Sequence, residues 1–223
     1  PKDPAARRDL ALISSRIGQV LLQEARQPRE ALPYYLRASE VAEGLLRENP
    51  MSAEMQRASS FIHVTLAEAY NLLREPAAAL PHSNTALERL EALRQADPAN
   101  EQAPLAVAYV LNQLGESYLL TGDLNKALTD LQRAETLIAE APAAKPTDIA
   151  EVRLLPGTTA LRLGKVHALL AKQKRQQKQH QKDAITLLER SVVSLRDLVA
   201  DPVIGEQAKQ LSTEAELLLQ TLS

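Results

Sequence analysis

Cysteine is absent from this chain, which excludes disulfides, thiolate zinc sites, iron–sulfur clusters and cysteine nucleophiles. The absence does not decide the compartment, because a cysteine-free chain is stable in cytosol or periplasm alike. Tryptophan is also missing, and Phe61 is the sole phenylalanine. With aromatics at 3% of a chain that is 45% hydrophobic, the core must be built mostly from Leu, Ala, Ile and Val. Glycine is scarce, at seven, and Gly18, Gly115, Gly157 and Gly164 fall within or beside helical patterns. That profile favours an all-helical protein over a sheet with glycine turns. No run of about 18 apolar residues exists, so no membrane insertion is expected. The formal charge of −2 gives no general affinity for nucleic acid or anionic membrane. The chain opens on Pro1-Lys2-Asp3-Pro4, without Met or a signal-peptide pattern. This reads as a piece of a longer protein or a processed chain.

What is present is a repeat. IGQVLL (17–22), LGESYLL (114–120) and LGKVHALL (163–170) each place an aliphatic residue, then Gly, then a larger residue three positions on. LAEAYNLL (66–73) has Ala67 where the others have Gly. The small residues Gly18, Ala67, Gly115 and Gly164 are thus 49, 48 and 49 apart. A second series, Ala31, Ala79, Ala127 and Ala184, runs at spacings of 48, 48 and 57. PREALP (28–33) and PAAALP (76–81) match at both prolines and at the Ala-Leu pair, again offset by 48. Asn49-Pro50, Asp97-Pro98 and Asp201-Pro202 mark recurring helix stops, with Pro142 and Pro146 in the remaining gap.

Between these stops each unit reads as two amphipathic helices. The spans are 5–24 with 28–48, 52–74 with 76–95, 99–121 with 124–140, and 147–173 with 182–199. A last helix, 203–221, would cap the fourth pair. The expected organisation is one domain over 1–223, with units at about 5–50, 51–98, 99–142 and 147–202 and a cap at 203–223. Pro33 and Pro81 conflict with helix near the second turn of each following helix. A kink there, or a helix beginning at the second proline, is expected. Asp123 is placed to cap the helix starting at Leu124. Gly115 carries an intrinsic helix penalty of about 1 kcal/mol relative to Ala, so its presence is assigned to close packing. Gly115→Leu should then destabilise by several kcal/mol as overpacking, and Gly115→Ala should be nearly tolerated, as Ala67 suggests.

The spacing resembles the tetratricopeptide repeat, in which a small residue in helix A is followed by an aromatic three later and a small residue twelve later. The third unit fits with Leu114, Gly115, Tyr118, Ala127, Leu131 and Ala134. The first gives Ile17, Gly18, Leu21, Ala31, Tyr35 and Ala38, with one extra residue in the turn. The second gives Leu66, Ala67, Tyr70, Ala79, Ser83 and Ala86. The fourth gives Leu163, Gly164 and His167, then an insertion before Ala184, Leu188 and Ser191. The family's unit is about 34 residues, so each unit here is about four helical turns longer. Long-helix variants of this kind resemble those in kinesin light chains and in bacterial signalling proteins. DPAARRDLALISSRIG (3–18) is similar to repeat regions that follow the catalytic domain of some bacterial serine/threonine kinases. The resemblance implies a right-handed α-solenoid of about four long antiparallel helix pairs with a capping helix. Its packing positions would be Gly18, Ala31, Ala67, Ala79, Gly115, Tyr118, Ala127, Gly164 and Ala184.

Catalytic and metal constellations are not evident in the sequence. His63, His82, His167 and His180 show no pairing at three or four residues' spacing, and no acidic pair completes a metal set. His167 takes the family's aromatic position and reads as a packed histidine. GTTALRLGK (157–165) superficially suggests a phosphate loop. Its glycines are separated by six residues rather than four, Val166 stands where Ser or Thr is needed, and the segment lies in a helix. No catalytic residue, cofactor site or metal site is assigned, and the fragment reads as a non-enzyme. KQKRQQKQHQK (172–182) holds five Lys or Arg and no acid and is read as the extended turn of the fourth hairpin. Without interleaved aromatics to stack bases it reads as a solvated extension, and nucleic acid is a weaker alternative.

The function expected from the resemblance is a protein-interaction scaffold, a regulatory module of a larger bacterial signalling protein, holding a peptide or helix of unknown identity. Carried over from the family, the concave groove would present Leu12, Ser15, Gln19, Leu22, Phe61, Val64, Glu68 and Asn71. It would continue with Tyr109, Asn112, Glu116, Leu119, Leu161 and Lys165. Family members that grip chaperone C-terminal carboxylates use Lys and Asn four residues apart. The matching pairs Ser15–Gln19, Val64–Glu68, Asn112–Glu116 and Leu161–Lys165 do not qualify, so no such clamp is expected. The alternative is an oligomerisation or regulatory appendage of a kinase with no external ligand. A cytoplasmic location is favoured, with an extracytoplasmic one open should a membrane segment precede the chain.

Overall fold

The structure, a computed structural model, describes residues 3–141, 150–173 and 177–222. Among these residues it is helical throughout, without strands, and consecutive helices pack as in a helical repeat. The chain forms two compact units, Pro1–Ala103 and Pro104–Ser223. Their border falls five residues beyond the Asp97-Pro98 stop that separates the second repeat from the third.

The first unit contains α1 (Pro4–Gln19) continuing through a π turn (Val20–Glu24), α2 (Pro28–Glu48), α3 (Ala53–Leu72) and α4 (Pro76–Ala96). Asp3 caps α1 by accepting the N–H groups of Ala5 and Ala6, and Ser52 caps α3 through Met55 N–H. α2 and α4 begin at Pro28 and Pro76, where a missing N–H costs nothing because the first turn has no carbonyl to meet it. Neither helix waits for the second proline. Pro33 and Pro81 lie inside α2 and α4 with their rings exposed. The carbonyls they leave unbonded, on exposed Arg29 and Ala77, can turn to water. The core joins Leu22 and Tyr35 to Ile62 and Leu66 across Ala31, Ala38, Ala42 and Ala69.

The second unit contains α5 (Ala103–Thr121, whose first residue lies in the first unit), α6 (Leu124–Glu140), the short α7 (Ala150–Arg153), α8 (Leu155–Lys172), α9 (Gln177–Arg196) and α10 (Gly205–Leu222). Asp123 caps α6, accepting the Lys126 N–H. α10 packs against both α8 and α9, with Ala215, Leu218, Leu219 and Leu222 gathered on Leu161, Leu188 and Val192. Asp201 starts α10 by accepting the N–H groups of Val203 and Ile204, and these two bonds hold its carboxyl below the usual range. Pro142 and Pro146 lie outside the described residues, and so does the start expected for the fourth unit at 147. Residues 157–165 are helical within α8. The basic stretch departs from its expected form as a turn. Residues 177–182 form the first turns of α9, because a Gln- and Lys-rich run without Gly or Pro readily extends a helix. Lys174, Arg175 and Gln176 lie outside the described residues.

Three hairpin turns repeat one backbone device. Arg26, Arg74 and Gly122, spaced 48 apart, each adopt positive φ, at 56°, 62° and 80°. After the second and third, Glu75 N–H bonds Tyr70 O and Asp123 N–H bonds Tyr118 O, while Arg74 and Gly122 N–H bond Asn71 O and Leu119 O. This is the Schellman arrangement, which satisfies carbonyls that a helix end otherwise leaves open. In the first turn the corresponding bond runs from Gln27 N–H to Leu21 O, one residue longer. The extra residue seen in the sequence is absorbed by the π turn at Val20–Glu24.

The small residues of helix A meet the large residues of helix B. A methyl group on Gly18 would lie 3.0 Å from Tyr35, one on Gly115 2.5 Å from Cγ and Cδ2 of Leu131, and one on Gly164 2.8 Å from Leu188. Tyr35, Ser83, Leu131 and Leu188 are equivalent positions, each four residues after Ala31, Ala79, Ala127 and Ala184. All four of those alanines are fully buried, as is Ala67. Where helix A carries Ala67 instead of Gly, helix B carries the small Ser83. The second repeat's Ala67 is therefore no precedent for Gly115→Ala. Leu131 fills the space that Ser83 leaves, and the substitution is expected to clash. Tyr118, the last of the packing positions, is half-buried with the Lys126 ammonium 5.2 Å from its ring centre.

Candidate functional site

The residues assigned to the groove separate by burial. On α1, Leu12 is 67% exposed, Ser15 and Gln19 are half-buried, and Leu22 is buried in the core. On α3, Phe61 is 39% exposed and Glu68 half-buried, while Val64 and Asn71 are buried. On α5, Tyr109, Glu116 and Leu119 are half-buried and Asn112 has no exposed surface. On α8, Leu161 is buried under Ala215 of α10, and half-buried Lys165 pairs with Glu214 of α10 at 2.8 Å. The chain's own last helix thus occupies the α8 part of that face. Leu12 and Phe61 are the most exposed apolar side chains of the set.

Leu12 belongs to a broader apolar face. Ile13, Ile17 and Val20 are also exposed, at 57%, 39% and 44%. The residues three to four apart place these side chains along one side of α1, opposite the buried Ala11, Ser14 and Gly18 that meet α2. Exposed Arg16 lies within the stripe, one turn from both Leu12 and Val20, and exposed Arg8 and Asp9 lie one turn before Leu12 and Ile13.

Polar side chains that the sequence reading did not connect form two further clusters. In the second unit, Asn112 Nδ2 donates to Thr159 Oγ1 at 2.5 Å, and its Oδ1 accepts from Arg162 at 3.0 Å. Arg162 also pairs with Glu116 at 2.9 Å. Two positions read as groove-lining, Asn112 and Glu116, are thereby bound to α8. In the first unit, Glu43 receives Arg89, Ser59 and His63. Burial pushes its carboxyl up, but these hydrogen bonds outweigh burial and hold it down at about 2.

The histidines, which show no pairing at three or four residues' spacing in the sequence, are brought together in two pairs. His63 Nδ1 lies 2.9 Å from His82 Nδ1, while His63 Nε2 faces Glu43 at 3.1 Å. His63 therefore donates through Nε2 to the carboxylate and accepts at Nδ1 from His82. Both rings are neutral in this arrangement, and burial moves both pKa values down. His82 also stacks on Tyr70, with ring centres 5.7 Å apart. The second pair, His167 and His180, has Nδ1 atoms 3.1 Å apart. Asp183 Oδ2 lies 3.5 Å from His167 Nδ1. Burial again lowers the His167 pKa, against the raising effect of Asp183. Among the described residues this is one place where three metal-capable side chains converge. The hairpin made the pairs, since residues 19 and 13 apart meet only when the two helices fold back. The one local signal was His180-x-x-Asp183, a one-turn spacing on α9.

No protein-family model matches the chain, and no curated protein matches it.

Proposed function

We propose that this chain is a protein-interaction scaffold of the tetratricopeptide kind, a right-handed solenoid of long helical hairpins that binds an amphipathic helix. The α1 stripe of Leu12, Ile13, Ile17 and Val20 carries this reading. Contiguous exposed apolar side chains of this kind mark association surfaces rather than ordinary surface composition. The 48-residue recurrence of the hairpin turns and of the Gly–large and Ala–small pairs supports the repeat assignment. Arg8 and Arg16 outnumber Asp9 on this side of the helix and favour a partner helix with acidic residues beside its apolar stripe.

A selection from a library of amphipathic helical peptides tests this. The expected winners are peptides with acidic flanks that lose at least tenfold in affinity for the Ile13→Glu/Ile17→Glu protein. Selected peptides that bind the double variant equally well would refute the α1 assignment. A second reading, self-association, uses the same stripe. A dimer in sedimentation equilibrium that dissociates on the double substitution would establish it instead, and a concentration-independent monomer would remove it.

A further inference from the structure

We propose that His167, His180 and Asp183 form a binding site for a divalent transition-metal ion of the zinc class. Three donor atoms converge at one point of the α8–α9 hairpin: His167 Nδ1, His180 Nδ1 and Asp183 Oδ2, all within 4.8 Å of one another. Zinc bonds imidazole nitrogen at about 2.0–2.1 Å with tetrahedral geometry, which puts neighbouring donors about 3.3 Å apart. The separations of 3.1 Å and 3.5 Å around His167 bracket that edge length.

Hydrogen bonding alone satisfies this cluster poorly. His167 Nδ1 faces two acceptors at once, a second imidazole nitrogen and a carboxylate oxygen. A proton on His180 Nδ1 leaves the His167 Nδ1 lone pair facing the Asp183 carboxylate, and a proton on His167 Nδ1 has two acceptors to share. A cation at the centre would satisfy all three. The other histidine pair shows the contrast. At His63 and His82 the carboxylate of Glu43 sits on the far nitrogen of His63 and is already bound to Arg89. Two donors converge there, and one proton between them suffices.

The surroundings fit a held site. Gln179 donates to Asp183 Oδ1 at 2.7 Å, fixing the carboxylate so that Oδ2 is the oxygen turned to His167. His167 lies one turn beyond Gly164, where Leu188 packs directly against the bare Cα, so α8 and α9 are closely held beside the site. Burial lowers the His167 pKa, with Asp183 and Glu135 of α6 opposing that shift and His180 adding to it. A neutral ring leaves a nitrogen lone pair available for a metal. All three residues are half-buried, so an ion held there would keep a solvent-facing position for water or for a group on a partner. The exposed Lys172, Lys178 and Lys182 point into solvent.

Calorimetric titration of the metal-free full chain with Zn²⁺ tests the site. The expected result is one ion per chain. His167→Gln, His180→Gln and Asp183→Asn should each weaken binding at least tenfold, Gln179→Ala should weaken it several-fold, and His63→Gln should leave it unchanged. No saturable binding would overturn the proposal, as would unchanged affinity in His167→Gln and His180→Gln, or loss of binding in His63→Gln. Should the variants fail to fold, imidazole resonances of the wild-type chain decide. Zn²⁺ is expected to shift those of His167 and His180, and shifts confined to His63 and His82 would refute the site.

Discussion

Gly115→Ala adds one methyl group where α5 meets Leu131 of α6. That methyl would stand 2.5 Å from two carbons of Leu131, about 1 Å inside an ordinary carbon–carbon contact of about 3.5–4.0 Å. Leu131 cannot withdraw easily, because it is fully buried among Leu124, Ala127, Leu163 and Val166. Overpacking of this kind costs about 1–3 kcal/mol, and an overlap with two atoms of one immobile side chain belongs at the upper end. The helix-propensity gain returns at most about 1 kcal/mol, leaving a net loss of about 2 kcal/mol. Leu131→Ser alone opens a cavity and should cost about 3 kcal/mol. The double variant reproduces the Ala67–Ser83 combination of the second repeat, so its loss should fall about 2 kcal/mol short of the sum. Urea unfolding followed by circular dichroism reads these differences as midpoint shifts at constant slope. A neutral Gly115→Ala would refute the packing argument. So would strict additivity, within about 0.5 kcal/mol, of the two substitutions.

Arg26→Gly and Arg74→Gly should each stabilise by about 0.5–1 kcal/mol, because a left-handed residue carries a steric cost that glycine lacks. Gly122→Arg should lose a similar amount, and the same unfolding assay reads all three. Thr159→Val leaves buried Asn112 Nδ2 with the Ala108 carbonyl at 3.5 Å, so a loss of about 1–3 kcal/mol is expected from calorimetry. Stability should fall with pH in two stages. His63, His82 and His167 have folded pKa values below the ordinary 6.5, so the unfolded chain takes up protons first and stability declines below about pH 6.5. Glu43, held at about 2 against an ordinary 4.5, adds a contribution that is complete above pH 4.5 and is lost toward pH 2. After allowance for its partial exposure this is about 1–2 kcal/mol. Glu43→Gln should flatten the lower stage and, because the Glu43 carboxylate raises the His63 pKa, steepen the decline below about pH 6.5.

The parts of the fold governed by local chemistry were legible in the sequence. Proline and Asp123 marked where helices begin, and the 48-residue series of small residues located the close contacts. The series did not show that Ala67 is admissible only because Ser83 faces it. That relation joins two helices through the volume of one contact. The π turn was visible only as one surplus residue between Gly18 and Ala31. The longer Gly164–Ala184 interval reads as an extended turn over the basic stretch, whereas its Gln and Lys residues from 177 extend α9. Of the groove, Leu12 and Phe61 were placed by pattern, but Leu22, Val64, Asn112 and Leu161 share their periodicity and are buried. Helical phase states which residues share a face, not which neighbour covers it. The histidine clusters were hidden for the same reason, being made by hairpin closure.

Phe61 gives the most direct test of the scaffold reading, because it is the sole phenylalanine and is partly exposed. A chain labelled with fluorophenylalanine should give one ¹⁹F resonance. Titration with a selected acidic amphipathic peptide is predicted to shift that resonance in the wild-type protein. At the same peptide concentrations it should leave the Ile13→Glu/Ile17→Glu protein unchanged. A selected peptide that binds the Ile13→Glu/Ile17→Glu protein at full affinity, with the same Phe61 shift as in the wild type, would contradict the account.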